Sequence, residues 1–152
     1  SAIKTFTQKV NWKDLDFIIV DMPPGTGDTQ LTFSQEIKMD GAIIVSTPQE
    51  VALLDVKRGI KMFDKLGVKI LGLVDNMSFF VGDDGKKYKI FGEGGVKKTA
   101  EEFQKDFLGE IPINPEVGNS GDQGKPIVES NPDHEISKIY LDFAEKIKST
   151  YL

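Results

Sequence analysis

The 152-residue chain contains no cysteine, and only one histidine and one tryptophan. The missing thiols exclude disulfides and any thiolate-ligated metal supplied by this chain, and leave the redox compartment open. Long apolar runs are also absent: the longest are about four to six residues, far short of the roughly 18 needed to cross a bilayer, and no signal-peptide pattern opens the chain. A soluble, cytoplasmic protein with no membrane partner is expected. Positive charge is in short supply, with 19 Lys and Arg against 24 Asp and Glu and a formal net charge of -5. Binding to a phosphate backbone needs clustered cations that release counterions, so nucleic acid is not an expected partner.

What is present fits one domain in length. The chain opens on Ser1, with Ile3, Phe6 and Val10 already at helical spacing, so it reads as starting inside a helix, as a fragment would. Three runs are apolar at consecutive positions, Phe17-Ile18-Ile19-Val20, Ala42-Ile43-Ile44-Val45 and Ile70-Leu71-Gly72-Leu73-Val74, and read as strands covered on both faces. Between the second and third, Leu53, Val56, Ile60 and Phe63 form the apolar stripe of a helix. Thr47, Pro48 and Glu50 are spaced as a capping box with proline at the first helical position. Such alternation predicts an α/β fold with a doubly wound, mostly parallel sheet and flanking helices.

After Asn76 the rhythm breaks. Phe79-Phe80-Val81 and Tyr88 to Phe91 flank an Asp-Gly turn, which predicts a hairpin insertion over 79–91. Val96, Ala100, Phe103 and Phe107 are spaced for a helix, Leu108 to Pro112 for a short strand, and Ile136, Ile139, Tyr140, Phe143 and Ile147 for a last helix. The stretch 113–133 is rich in turn residues, with short helical turns expected near Glu116 and Pro126. Trp12 is expected to pack on the first strand, and His134 to be a solvated polar residue. The lysines at 86, 87, 89, 97 and 98 read most simply as a solvated face.

Chemistry concentrates where the first run ends. Asp21 falls at the carboxyl end of a predicted strand, where open parallel sheets bind ligands, and Pro23-Pro24-Gly25-Thr26-Gly27-Asp28 cannot continue as helix or strand. Gly25 and Gly27 let the backbone approach an anion, Thr26 and Asp28 offer oxygens, and Asp28 or Thr29 can cap the next helix.

The string Asp21-Met22-Pro23-Pro24-Gly25-Thr26-Gly27-Asp28 resembles the Mrp (ApbC) family of P-loop ATPases, related to the MinD and ParA group. The resemblance continues through Gly41 to Gln49, Asp75-Asn76-Met77-Ser78, Ile90 to Gly95 and Gly109 to Pro112, and covers essentially the whole chain. It implies that 1–152 is the C-terminal portion of a single ATPase domain. It further implies that Asp21 is the Walker B carboxylate holding Mg²⁺ through water, that Asp28 belongs to the catalytic switch, and that Pro24, Gly25, Thr26 and Gly27 sense the γ-phosphate. Asn76 matches the family's adenine-reading Asn, and Pro112 and Ile113 the loop over the adenine face. ATP and Mg²⁺ are thus the expected ligands of the complete protein, and a homodimer serving client iron–sulfur apoproteins or assembly factors is the expected assembly.

Two departures stand out. The family's own phosphate loop, Gly-Lys-Gly-Gly-Val-Gly-Lys-Ser/Thr, is absent from the chain; Gly92 to Lys98 resembles it only superficially and reads as a loop-to-helix joint. The isolated chain is therefore expected to bind ATP weakly and to hydrolyse none. The family's Cys-x-x-Cys, which bridges a [4Fe–4S] cluster, is replaced by Gly82 and Gly85. Either this homologue carries a cluster differently or it is a client-specific or regulatory ATPase that binds none; Asp83 and Asp84 between these glycines read as solvated acids. The leading functional expectation is a portion of an ATP-dependent iron–sulfur cluster carrier or assembly factor. The alternatives are a MinD/ParA-like positioning ATPase and a non-enzymatic interaction module.

Overall fold

The computed structural model describes residues 5, 9–22 and 27–152, except for the side chain of Thr29. Helix α1 (Asp28–Glu36) leads into strand β1 (Ala42–Ser46), helix α2 (Glu50–Leu66) and the long strand β2 (Ile70–Val81). There follow β3 (Lys87–Tyr88), α3 (Gly95–Glu102), β4 (Phe107–Ile113), two short helices α4 (Pro115–Asp122) and α5 (Ile127–Ser130), and the terminal helix α6 (Glu135–Tyr151). β2 runs between β1 and β4 and is parallel to both, while β3 pairs antiparallel with its far end through Phe80–Tyr88 and Val81–Lys87.

Alternation along β2 divides the core between the two faces of the sheet. Leu73 joins Val56, Ile60 and Phe63 of α2 and Val96 and Ala100 of α3. Val74, the next residue and so on the opposite face, joins Ile111, Ile127 and Ile136 beneath α5 and α6. Leu73, Ile60, Val96 and Ile136 are fully buried; each such side chain contributes about 1.5–3 kcal/mol of transfer free energy. The doubly wound reading therefore holds, and β2 is its spine.

Helix α2 ends as its sequence demands. Gly67 takes a left-handed φ of 69°, and the Val68 amide donates to the Phe63 carbonyl at 3.0 Å, closing a Schellman turn. Its start differs from the expected capping box. Gln49 occupies the cap position without a side-chain cap bond, and the Thr47 hydroxyl donates to Gln49 Oε1 at 3.3 Å instead of reaching an amide. Lys57–Glu102 and Lys105–Asp64, both 2.7 Å, tie α2 to α3 and its C-terminal turn. They are partly exposed, so each adds at most about 1 kcal/mol.

Several expectations are corrected. Phe17–Val20 forms no strand: no ladder joins it to β1, and Ile19 is 83% exposed. A strand can satisfy its backbone only through a neighbour, and the described residues offer this run none. Trp12, expected to pack there, is 43% exposed. Phe107 belongs to β4 rather than to the preceding helix, because α3 stops at Glu102; Gln104 adopts a positive φ of 54° and the Lys105 amide turns back to the Ala100 carbonyl. The 79–91 hairpin is present but short: its first strand is the end of β2, and Ile90 and Phe91 lie beyond β3. His134 is a helix cap, with Nδ1 accepting from the Ile136 amide at 3.1 Å and Nε2 lying 3.7 Å from Glu116 Oε2. The helical turns around Glu116 and Pro126 are present as α4 and α5, α4 being capped by Asn114, whose side chain accepts from the Glu116 amide at 2.8 Å.

Candidate functional site

The carboxyl end of β1 lies beside the middle of β2 and β4, with Ser46, Asp75 and Glu110 in register across the sheet and Asn76 opposite Ile111. Just beyond Asn76 the ladder to β4 is interrupted until Phe80 meets Ile113. Met77 there adopts a positive φ of 53°, a costly conformation for a non-glycine residue. Its amide donates to Asn76 Oδ1 at 3.0 Å, and the Ser78 hydroxyl donates to the Ile111 carbonyl at 3.3 Å. Such irregularities re-aim side chains at the end of a strand. Asn76 is half-buried, Pro112 buried and Ile113 half-buried, so the sheet brings these three expected base-site residues to one end of the fold. With Oδ1 engaged by Met77, the Asn76 side chain has its amide hydrogens left to offer.

The expected phosphate-side residues are split. Asp21 is exposed at the end of the Phe17–Val20 run, and Gly27 and Asp28 are exposed at the start of α1. Gly27 is the cap residue of α1 and brings no side-chain cap bond, so Asp28 does not hold the expected cap position and instead supplies a negative charge in the first turn; the Thr29 side chain, the other expected cap, lies outside the described residues. Pro24, Gly25 and Thr26 lie outside the described residues.

Among the described residues no group of three or more His, Cys, Asp or Glu side chains is placed to hold a metal ion. A single exposed carboxylate at Asp21 suits Mg²⁺, which keeps several waters and takes further ligands from phosphate oxygens. A thiolate-bound cluster does not fit, since the chain has no cysteine. Gly82 and Gly85 are spent on a tight turn, with the Gly85 amide donating to the Gly82 carbonyl at 2.9 Å. Asp84 staples that turn: it accepts from the Lys86 amide at 3.0 Å and from the Tyr88 hydroxyl at 2.8 Å, which hold its carboxyl below the usual range.

Gly92 to Lys98 is the loop-to-helix joint that its sequence suggested. A Cβ on Gly95 would lie 2.6 Å from Leu53 Cδ1 and 2.8 Å from the Pro48 carbonyl oxygen, so the glycine is required by packing against the start of α2. Of the lysines before the joint, Lys87 Nζ sits 4.2 Å from the Phe79 ring centroid, and Lys89 pairs with Glu93 at 2.7 Å.

Sequence reasoning passed over Asp75 as a site residue. It is 1% exposed and its Oδ1 has no hydrogen-bond partner among the described residues. Burial, and then the neighbouring Glu110, push its carboxyl up to about 6, against a smaller opposing pull from Lys89. The available signal was an acid following directly on a strand segment apolar on both faces.

With this geometry in place, similarity to known proteins becomes informative. The chain is 49% identical over 148 residues to the iron–sulfur protein required for NADH dehydrogenase, mitochondrial, of Arabidopsis thaliana, covering 97% of this chain and 47% of that protein. It is 44% identical to the iron–sulfur cluster carrier protein of Aquifex aeolicus, covering 95% and 40%. Among solved structures, the nucleotide-binding protein of Archaeoglobus fulgidus in complex with ADP superposes with a TM-score of 0.74 at 38% identity, covering 82% of this chain and 51% of that one. The cell division ATPase MinD of Pyrococcus furiosus superposes at 0.69 with 23% identity, over 91% and 54%, a likeness of fold alone. The chain thus spans about half or less of the length of these relatives. The family model for the ParA group, described as NUBPL iron-transfer P-loop NTPase, matches residues 1–148, and the chain belongs to that family.

Proposed function

We propose that residues 1–152 are the C-terminal portion of an ATP-binding, ATP-hydrolysing iron–sulfur cluster carrier or assembly factor. The observation that carries this reading is 42–47% identity, over nearly the whole chain, to proteins named as iron–sulfur cluster carrier or transfer proteins. In this reading Asp21 orients a water-shelled Mg²⁺, which when bound would neutralise charge on the phosphate oxygens. The Gly25 amide, with Pro24, Thr26 and Gly27, contacts the terminal phosphate, and Asp28 closes the catalytic loop. The Asn76 amide hydrogens donate to the base, and Pro112 and Ile113 cover it. The phosphate cradle comes from polypeptide outside this chain, so residues 1–152 alone bind Mg-ATP weakly and hydrolyse none. The cluster is cargo, and its ligands are not thiolates of this chain. The working assembly is a homodimer that delivers to client apoproteins.

The test is a chimera in which this chain replaces the 147 matched residues of the Escherichia coli iron–sulfur cluster carrier protein, to which it is 43% identical. ATP hydrolysis and activation of an iron–sulfur apoenzyme are then measured. The chimera is expected to retain hydrolysis, and Asp21→Asn to remove it without unfolding. A folded chimera that neither binds nor hydrolyses ATP refutes the reading.

A further inference from the structure

A side-chain amide selects adenine by using both its halves, donating to N7 and accepting from the 6-amino group; guanine carries an acceptor oxygen at the 6-position instead. In this chain one half of Asn76 is already spent. The Met77 amide donates to Asn76 Oδ1 at 3.0 Å. That bond also fixes which way the side chain points, since its NH₂ group turned to the same amide would set donor against donor. The arrangement is built into the backbone: the ladder to β4 breaks between Asn76 and Phe80, and Met77 holds a φ of 53°. Met77 is 38% exposed, so burial of its side chain does not account for that costly conformation; turning its amide back onto Asn76 is what the conformation achieves. On β4 opposite, the Ile111 carbonyl accepts from the Ser78 hydroxyl at 3.3 Å, and Pro112 has no amide hydrogen.

We propose, resting on the nucleotide-binding reading above, that Asn76 reads the base as a donor only, and that the complete protein accepts guanine as well as adenine nucleotides. N7 accepts in both purines, and the 6-oxygen of guanine takes a hydrogen where the 6-amino group of adenine finds the Asn76 carbonyl already engaged. Strong rejection of an analogue requires a buried protein group that pairs with the distinguishing atom and is stranded without it. Here the Asn76 and Ile111 carbonyls both have donors from within the chain, so a base without the 6-amino group strands neither. The break in β2 that aims Asn76 thus also sets how loosely the purine is read.

The test uses the chimera with the Escherichia coli protein. It is loaded with ribose-labelled ATP in the presence of Mg²⁺, and ATP, GTP and purine riboside triphosphate, which lacks the 6-amino group, are compared as displacing ligands. Both analogues are expected to bind within about tenfold of ATP. Asn76→Asp keeps the acceptor for the Met77 amide and turns the remaining donor into an acceptor, so it should weaken ATP and GTP alike, by about tenfold. An Asn76 that accepted from the 6-amino group would behave differently, with Asn76→Asp keeping ATP and losing GTP. The competition itself needs no variant, so it stands even if Asn76→Asp fails to fold. ATP binding with either analogue weaker by more than about tenfold, or an Asn76→Asp protein that retains ATP and loses GTP, overturns the proposal while leaving the ATPase reading intact. Absence of binding by all the nucleotides overturns both.

Discussion

Replacing Asp75 by Asn should make the protein more stable, and only where the carboxylate would have been charged. The side chain is 1% exposed, has no partner at Oδ1 among the described residues and has its carboxyl raised from 3.8 to about 6. A raised carboxylate works against folding once ionised, because between these two values the native state holds a proton that the unfolded chain has released. Stability linked to Asp75 is therefore greatest below pH 4, declines as pH rises towards 6 and is level above it. A shift of about two units corresponds to about 3 kcal/mol at pH 7.5, an upper figure that relaxation and water entry reduce, and to about half as much at pH 5. Asn keeps the shape of the protonated acid, so the variant should gain up to about 3 kcal/mol at pH 7.5 and clearly less at pH 5. Urea unfolding of both proteins at the two pH values measures this, and the difference between them cancels the other carboxylates. Equal destabilisation at both pH values would refute the reasoning, since it would mean that the Asp75 carboxylate makes a favourable contact in the native state.

Ile60→Ala should cost about 2–5 kcal/mol in the same assay, because Ile60 is fully buried between α2 and the sheet. Gly95→Ala should be destabilised and should perturb the NMR signals of Pro48 and Leu53, since the added carbon meets a backbone oxygen at 2.8 Å; an unshifted spectrum would count against the packing described. Among the described residues β1 has no ladder partner besides β2, and Ile43 and Val45 on it are exposed. Open edges recruit strands, so sedimentation of the chain should show concentration-dependent association, weakened by Val45→Lys; a monomer at all concentrations would contradict it.

How much was legible in advance depended on the kind of element. The stripe Leu53, Val56, Ile60, Phe63 located α2, because a helix satisfies its hydrogen bonds within its own residues and shows one face to the core. Its start was misread, since Thr47 had a side-chain acceptor closer at hand than an amide. Phe107 kept helical spacing with Phe103 yet lies in β4, where pairing opposite Leu73 outweighed local periodicity. Of the candidate site, Asn76, Pro112 and Ile113 were found by motif and are gathered by β2 and β4, whereas Asp75 showed its character only once burial and Glu110 were placed around it.

The amino-acid order alone settled the α/β alternation, the two-sided burial of β2, the glycine joint before α3 and the impossibility of thiolate ligands. Tertiary structure decided whether apolar runs became strands. Ala42–Ser46 did because β2 lies beside it, and Phe17–Val20 did not because no described strand does. The physical reason is the same in both cases: a helix completes its hydrogen bonds from neighbours in sequence, a strand only from neighbours in space. A carboxylate likewise takes its proton affinity from the groups that folding brings around it.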